Sequence, residues 1–302
     1  METIVLERPE PSAVPALTLH PLGDVSPWLL SHQGLGMPRI QRRSQQAVEQ
    51  AGYTDIGFRI QPRDITLKIG LAATNRAMLD SERRRLWDML QPTPDPLQMR
   101  IQTEDAQVRR VDVHYVRGLE YASKDRKANV ESYTLQFRAP EVFLRSTAET
   151  TITVEGSGAA GGMDFPLDFP MHLGGFTWGT LHDFDYTGSA PVYPTISLFG
   201  RLRGVRLRLT NHTGTHAVSL ENTYEIAAGQ RLDLRLQVGR KEIVSVAADG
   251  TETNAYAALS VSETFLPGWR IEPGLNQVAV EAQASGAGAY AEIRFVTQYL
   301  GL

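Results

Sequence analysis

The sequence predicts a mainly β protein with one helix. An N-terminal α+β domain spans residues 1–145, and an antiparallel β-sandwich of the galectin-like or jelly-roll kind spans 146–302. Three observations predict this. Apolar and polar residues alternate in segment after segment, the period of a half-buried strand. One stretch, residues 77–91 (AMLDSERRRLWDMLQ), carries the helical period instead. The 26 glycines and 17 prolines punctuate the chain as turns do.

Taken in order, the first fifty residues are irregular and proline-rich and read as an extended arm and loop, with a basic patch at Arg39, Arg42 and Arg43. Residues 53–60 are strand-like. Residues 64–71 (DITLKIGL) alternate cleanly, with Ile65, Leu67, Ile69 and Leu71 on one face. In the helix, Leu79, Leu86 and Leu90 share a face with Trp87 beside them, and Asp80 and Glu82 lie near the favoured N-terminal end. The spacing offers Asp80 to Arg84 and Arg84 to Asp88 as ion pairs, and one of Arg83, Arg84 and Arg85 should stretch its stem over the apolar face. Pro92 and Pro94 stop the helix.

Leu97, Met99 and Ile101 then pair with Val111, Val113 and Tyr115 in a hairpin turned by residues 104–106, and Lys124 to Lys127 form a charged loop. Tyr133, Leu135 and Phe137 mark a further strand. Residues 156–162 (GSGAAGG) read as a linker-like break. Beyond it Ile196 and Leu198, then Val205, Leu207 and Leu209, then Leu232, Leu234, Leu236 and Val238 alternate with polar neighbours. Val278 and Val280, and Ala291, Ile293 and Phe295, do the same. Short strands so spaced argue a sandwich.

Composition excludes several functions. Net charge is −4, so bulk electrostatics gives no case for a nucleic-acid partner. Absence of cysteine excludes disulfides and thiolate chemistry. No apolar run approaches the roughly 18 residues of a membrane span, and the N-terminal residues do not read as a signal peptide. Residues 156–161 match GxGxxG literally, but Pro166 and Pro170 forbid the helix a dinucleotide site needs. His212 and His216 flank a glycine in a turn and lack a third zinc ligand nearby. Asp164, Asp168, Asp183 and Asp185 sit among aromatics, where a structural role outweighs a catalytic or calcium role. No catalytic, cofactor-binding or metal-binding residue is assigned, and an enzyme is not expected. Arg201, Arg203, Arg206 and Arg208 form a second basic patch, read as a solvated strand face or a docking rim.

The order of features resembles the distal tail proteins of long-tailed, siphovirus-like phages. In the first half the resemblance runs through PRDITLKIGL (62–71), LDSERRRLWDMLQP (79–92), VDVHYVRGLEY (111–121) and YTLQFRAPEVFL (133–144). In the second it runs through FPLDFP (165–170), GSAPVYPTISLFG (188–200), TNHTG (210–214), AAGQRLDL (227–234) and PGLN (273–276). It implies a structural virion protein at the tail tip, made in the host cytoplasm. The first domain would build a homo-oligomeric ring, usually of six, between the tail tube protein and the tail-tip or baseplate hub proteins. The galectin-like second domain would project outward, and the N-terminal arm would strap neighbouring subunits. Arg39, Arg42 and Arg43 are then candidate intersubunit or lumen contacts. The alternative is a carbohydrate-binding adhesion module, with Trp178, Asp183, Asp185, Tyr186 and Trp269 (and Tyr256 among the stacking rings) as candidate host-glycan contacts.

Overall fold

The computed structural model describes residues 2–9, 11–12, 14–21, 26–120, 129–155, 157–158, 178–286 and 288–302. The chain divides into two compact units, Met1–Thr147 with Tyr299–Leu302, and Ala148–Gln298.

Among the described residues the first unit is a closed seven-strand barrel with one helix. Its strands are β1 (Thr3–Glu7), β2 (Leu17–Pro21), β3 (Trp28–Gln33), β6 (Arg63–Ala72), β7 (Leu97–Gln102), β8 (Val108–Arg117) and β9 (Val130–Ala139), while β4 (Ile40–Gln45) and β5 (Thr54–Ile60) stand outside it. The barrel order is β8-β7-β1-β2-β3-β6-β9, closed by pairing of β8 with β9 at Tyr115 and Phe137. Alternation sets the register. Ile65, Leu67, Ile69 and Leu71 point inward across from Phe137, Leu135, Tyr133 and Glu131 on β9. Leu97, Met99 and Ile101 oppose Val113, Val111 and Arg109 on β8.

The expected N-terminal arm is corrected here. Ile4 and Leu6 of β1 and Leu17 and Leu19 of β2 are fully or almost fully buried, and β1 pairs with both β2 and β7. A barrel leaves no edge to satisfy, so a segment that reads as a free arm is needed to complete it. Gly34, after β3, has φ of +88°, and a Cβ there would meet the Asp64 carbonyl oxygen at 2.0 Å. Only glycine lets the chain cross β6 so closely.

The helix α1 (Arg76–Leu90) packs on this core through Leu79, Leu86, Met89 and Leu90. The Asn75 side chain accepts from the Met78 amide at 2.9 Å and caps its N-terminus. The Arg8 guanidinium donates to the carbonyls of Asp88, Met89 and Gln91 at the other end, where unpaired carbonyls favour a cation. Trp87, placed by the sequence beside the apolar face, is instead 46% exposed. Asp80 pairs with Arg76 and Arg83 rather than with Arg84. Of the three arginines it is Arg83 that lies inside, and it does more than cover apolar surface. Its guanidinium donates to both oxygens of the Glu131 carboxylate at 2.7 Å and to the Tyr133 hydroxyl at 3.1 Å. Leu86→Ala is expected to destabilise the first unit by about 2–5 kcal/mol, as for any well-packed core leucine. Denaturant titration checks this, and a loss below about 1 kcal/mol, typical of surface changes, would contradict the packing.

Among the described residues the second unit is all β apart from two single 3₁₀ turns. Its strands include β10 (Leu144–Glu155, which begins in the first unit), β11 (Ser157–Gly158), β12 (Trp178–Tyr186), β13 (Thr195–Phe199), β14 (Leu202–Arg203), β15 (Arg206–Asn211) and β16 (Gly214–Ser219). They continue with β17 (Glu225–Ile226), β18 (Arg231–Arg235), β19 (Glu242–Val246), β20 (Glu252–Asn254), β21 (Gly274–Ala282), β22 (Ala284–Ser285) and β23 (Tyr290–Tyr299). One sheet runs β20-β19-β18-β13-β23-β10, a second β11-β12-β21-β15-β16, and a small third β17-β14-β22. Ile196 and Leu198 of the first sheet and Leu207, Leu209, Val278 and Val280 of the second share one core with Trp269. Val238 departs from its expected place. The chain turns at residues 237–240, where the Arg240 amide donates to the Gln237 carbonyl, and Val238 is 76% exposed. Arg201 and Arg208 of the expected basic patch are paired with Glu225 and Glu281. The loop at Lys124–Lys127, most of the 156–162 break, and Asp164 and Asp168 lie outside the described residues.

Candidate functional site: an exposed two-stranded ribbon

The barrel consumes its own edges, so surface chemistry of the first unit concentrates on β4 and β5. These pair antiparallel from Ile40 opposite Ile60 to Gln45 opposite Thr54, with an irregularity between Arg43 and Ser44. No third described strand joins them. A free two-stranded ribbon is marginally stable in water. Here it also shows apolar side chains to solvent: Met37, Ile40, Val48, Tyr53, Ile56 and Phe58 are all exposed, Phe58 by 64%. Register places Ile40, Ile60, Phe58 and Arg42 on one face. Such a patch with open edges is the signature of a protein-docking element.

Arg39, Arg42 and Arg43 all sit on this ribbon or its root and all are exposed. The Arg42 guanidinium donates to Asp55 across the ribbon at 2.6 Å. The backbone amide of Gly57, followed by Arg42, holds the Asp55 carboxyl below its usual range. Residues 37–62 carry four arginines against two carboxylates, a charge of +2, which leaves −6 on the remainder of a −4 chain. The ribbon is a basic, apolar projection from an acidic protein.

At the ribbon root an open cleft of about 310 Å³ is lined by Gln41, Arg59, Gln61, Pro62, Asp64 and Arg138. Arg138 donates to Asp64 at 2.9 Å, Gln61 donates to Gln41 at 2.9 Å, and the Gln61 amide binds the Arg39 carbonyl. Cations and amide groups dominate, with nothing placed as a nucleophile–base pair. Among the described residues no cluster of three metal-ligating side chains occurs, and no helix is long and apolar enough to cross a membrane.

The residues proposed for glycan contact do not come together as one platform. Trp269 is fully buried in the second-unit core, and a buried ring offers no face to a sugar. Tyr186 is 3% exposed; its hydroxyl donates to the Ala190 carbonyl and accepts from the Gln298 amide. Gly188 is needed beside it, since a Cβ there would lie 2.2 Å from that hydroxyl. Asp183 and Asp185 do face solvent on β12, and Asp183 accepts from Gln277 at 2.8 Å. The side chain of Trp178 lies outside the described residues. Tyr256 is exposed on a 3₁₀ turn and donates to the Lys241 carbonyl.

No family model matches the chain, and neither does any curated protein. Solved structures do match. The SPP1 Dit (gp 19.1) protein, described as a paradigm of hub adsorption apparatus in Gram-positive infecting phages, aligns with a TM-score of 0.61 at 13% identity. That alignment covers 90% of this chain and 93% of the other. A chain of the phage p2 baseplate in its activated conformation with Sr aligns with a TM-score of 0.43 at 10% identity, over 98% of both chains. At the identity of the first match what is shared is architecture, and the chain has the fold of the SPP1 Dit protein.

Proposed function

We propose that this chain is a structural virion protein, a distal-tail hub subunit that self-assembles into a closed ring. Six copies, seated between the tail tube and the tail-tip or baseplate proteins, is the arrangement proposed, with the second unit as a galectin-like sandwich. The observation that carries the reading is the fold shared with SPP1 Dit over nine-tenths of the chain. The ribbon supports it independently. A closed barrel cannot associate through its own edges, so the first unit offers the two free edges and apolar face of β4–β5 for contact. The +2 ribbon and the −6 remainder favour ribbon-to-body contact between copies. Such heterologous contacts close into a ring when the rotation allows it.

Native mass spectrometry with negative-stain imaging tests this, and a closed ring is the expected result. Ile56→Asp with Phe58→Asp should weaken association by about 2 kcal/mol or more, the scale of an interface anchor, while the barrel's denaturation midpoint stays unchanged. A chain that remains monomeric at all concentrations, alone and with its neighbouring tail proteins, would overturn the reading.

A second reading, host-glycan adhesion, retains Asp183 and Asp185 as exposed polar groups on one face of β12. Titration with surface glycans, read by heat or chemical shift, would show saturable binding that Asp183→Asn reduces; absence of any signal removes it.

A further inference from the structure

The ribbon is not anchored by its own strands alone. Its root, residues 34–39, is held by the last four residues of the sequence, which belong to the first unit although the strand that leads to them, β23, lies largely in the second. Arg63, at the start of β6, is only 2% exposed, yet among the described residues no carboxylate pairs with it. Its five donors go to backbone carbonyls instead. It donates to Gly34 at 2.7 Å, to Gly36, to Val142 through two nitrogens at 3.0 and 3.1 Å, and to Leu300 at 2.8 Å. The planar fork of a guanidinium suits such a hub, and lysine could not fill it. Burial pulls the Arg63 pKa below its ordinary value.

Four more contacts close the same corner. The Leu302 amide donates to the Leu35 carbonyl at 3.1 Å. Arg109 lies over the Tyr299 ring at 4.2 Å and donates to the Gly301 carbonyl. Gly301 passes so close to Gly36 that a Cβ would meet its carbonyl carbon at 2.9 Å.

We propose that residues Tyr299–Leu302, gathered by Arg63, form a clasp that fixes the ribbon root, so that the ribbon is presented for docking only after this segment is in place. The partner presented to is a second copy of the chain, which rests on the ring reading above; the clasp itself does not. Geometry supplies the mechanism. Arg63 joins the 34–36 loop and Leu300 through one side chain, so removing the segment leaves the donor that faced Leu300 unmatched and takes the Leu302 amide from the Leu35 carbonyl. The loop then gains freedom, and a ribbon without a fixed root loses preorganisation for docking. Self-association would therefore wait until residues 299–302 have been made. Copies stopped short of Tyr299 would stay out of the ring.

Hydrogen exchange on the full chain and on a chain lacking residues 299–302 tests the clasp without reference to the ring. Exchange at the Gln61 amide and along β4–β5 should quicken by about tenfold or more, as for a locally opened segment, while β6 and β9 keep their protection. Native mass spectrometry of the same pair should show the apparent Kd for self-association rising by about tenfold or more, the loss expected when a docking element loses preorganisation. Unchanged exchange in the ribbon overturns the clasp, whatever the oligomeric state. Quickened exchange with unchanged association overturns the presentation step alone. If the deletion unfolds the barrel, Gly301→Ala gives the same readouts, because one methyl at 2.9 Å from Gly36 pries the segment from the loop. Arg63→Lys should reproduce the exchange change, and a Val48→Ser variant at the ribbon tip should not.

Discussion

Glu131→Ala is expected to destabilise the first unit by about 3–5 kcal/mol, the cost of stripping one partner from a buried ion pair. Glu131 receives Arg83 through two oxygens, Arg76 at 3.1 Å and the Tyr133 hydroxyl at 2.5 Å. Without it the Arg83 guanidinium stays buried, keeps the half-exposed Asp80 as a charged partner and loses the carboxylate that received it through both oxygens. Replacing Glu131 and Arg83 together by leucine and methionine should cost far less, since neither charge is then stranded. Denaturant titration of the two single variants and the double variant measures the coupling.

The same pair sets a pH dependence. Burial pushes the Glu131 carboxyl up, but hydrogen bonds from Arg83 and Tyr133 and the charges of Arg83 and Arg76 outweigh it, leaving it below the ordinary 4.5. A depressed carboxylate contributes stability that is fully present above its unfolded value and is lost as pH falls through its folded one. Hydrogen bonds to Glu131 hold Arg83 above its ordinary value, against burial, so it stays charged throughout. Acid titration should therefore bring the stability of the native protein toward that of Glu131→Gln below about pH 4.5. Parallel curves with a constant gap would contradict the pairing.

How much of this was legible depends on where tertiary structure overrode pattern. β6, β8, β9 and α1 were readable because their alternation or helical period spans ten or more residues, and β7 because its six residues alternate cleanly; their inward faces are buried from Ile65 to Phe137. β1 and β2 are five residues each and flanked by prolines, so Ile4/Leu6 and Leu17/Leu19 were too short a signal beside the breakers. The helix begins at Arg76, one residue before the periodic stretch, because the Asn75 side chain caps it there. Arg63 was invisible as a site. Nothing in PRDITLKIGL distinguishes an arginine that gathers carbonyls from three distant segments from one that faces water. The ribbon was half legible: the basic patch at Arg39, Arg42 and Arg43 pointed to it, but periodicity could not tell that Ile56 and Phe58 face solvent rather than core. Trp269 and Tyr186 misled for the same reason in reverse. An aromatic near aspartates reads alike whether it lines a surface or fills an interior.

Trp269→Ala decides that last case and should cost the second unit about 3–5 kcal/mol, the loss of a large buried aromatic. The indole is fully buried among Ile271, Val192 and the facing sheets, between a 3₁₀ turn at Leu266–Gly268 and the bridge from Ile271 to Val192. Its Nε1 meets no hydrogen-bond acceptor among the described residues, so its contribution is shape and apolar area rather than polarity. Trp269→Phe should for that reason recover most of the loss, because it removes an unpaired N–H along with part of the ring. A stacking residue for sugar would behave otherwise: alanine would abolish glycan binding and leave the unfolding midpoint in place. Thermal and chemical unfolding of the two variants separates the alternatives. A midpoint unmoved by Trp269→Ala would mean that the second unit does not close around this ring.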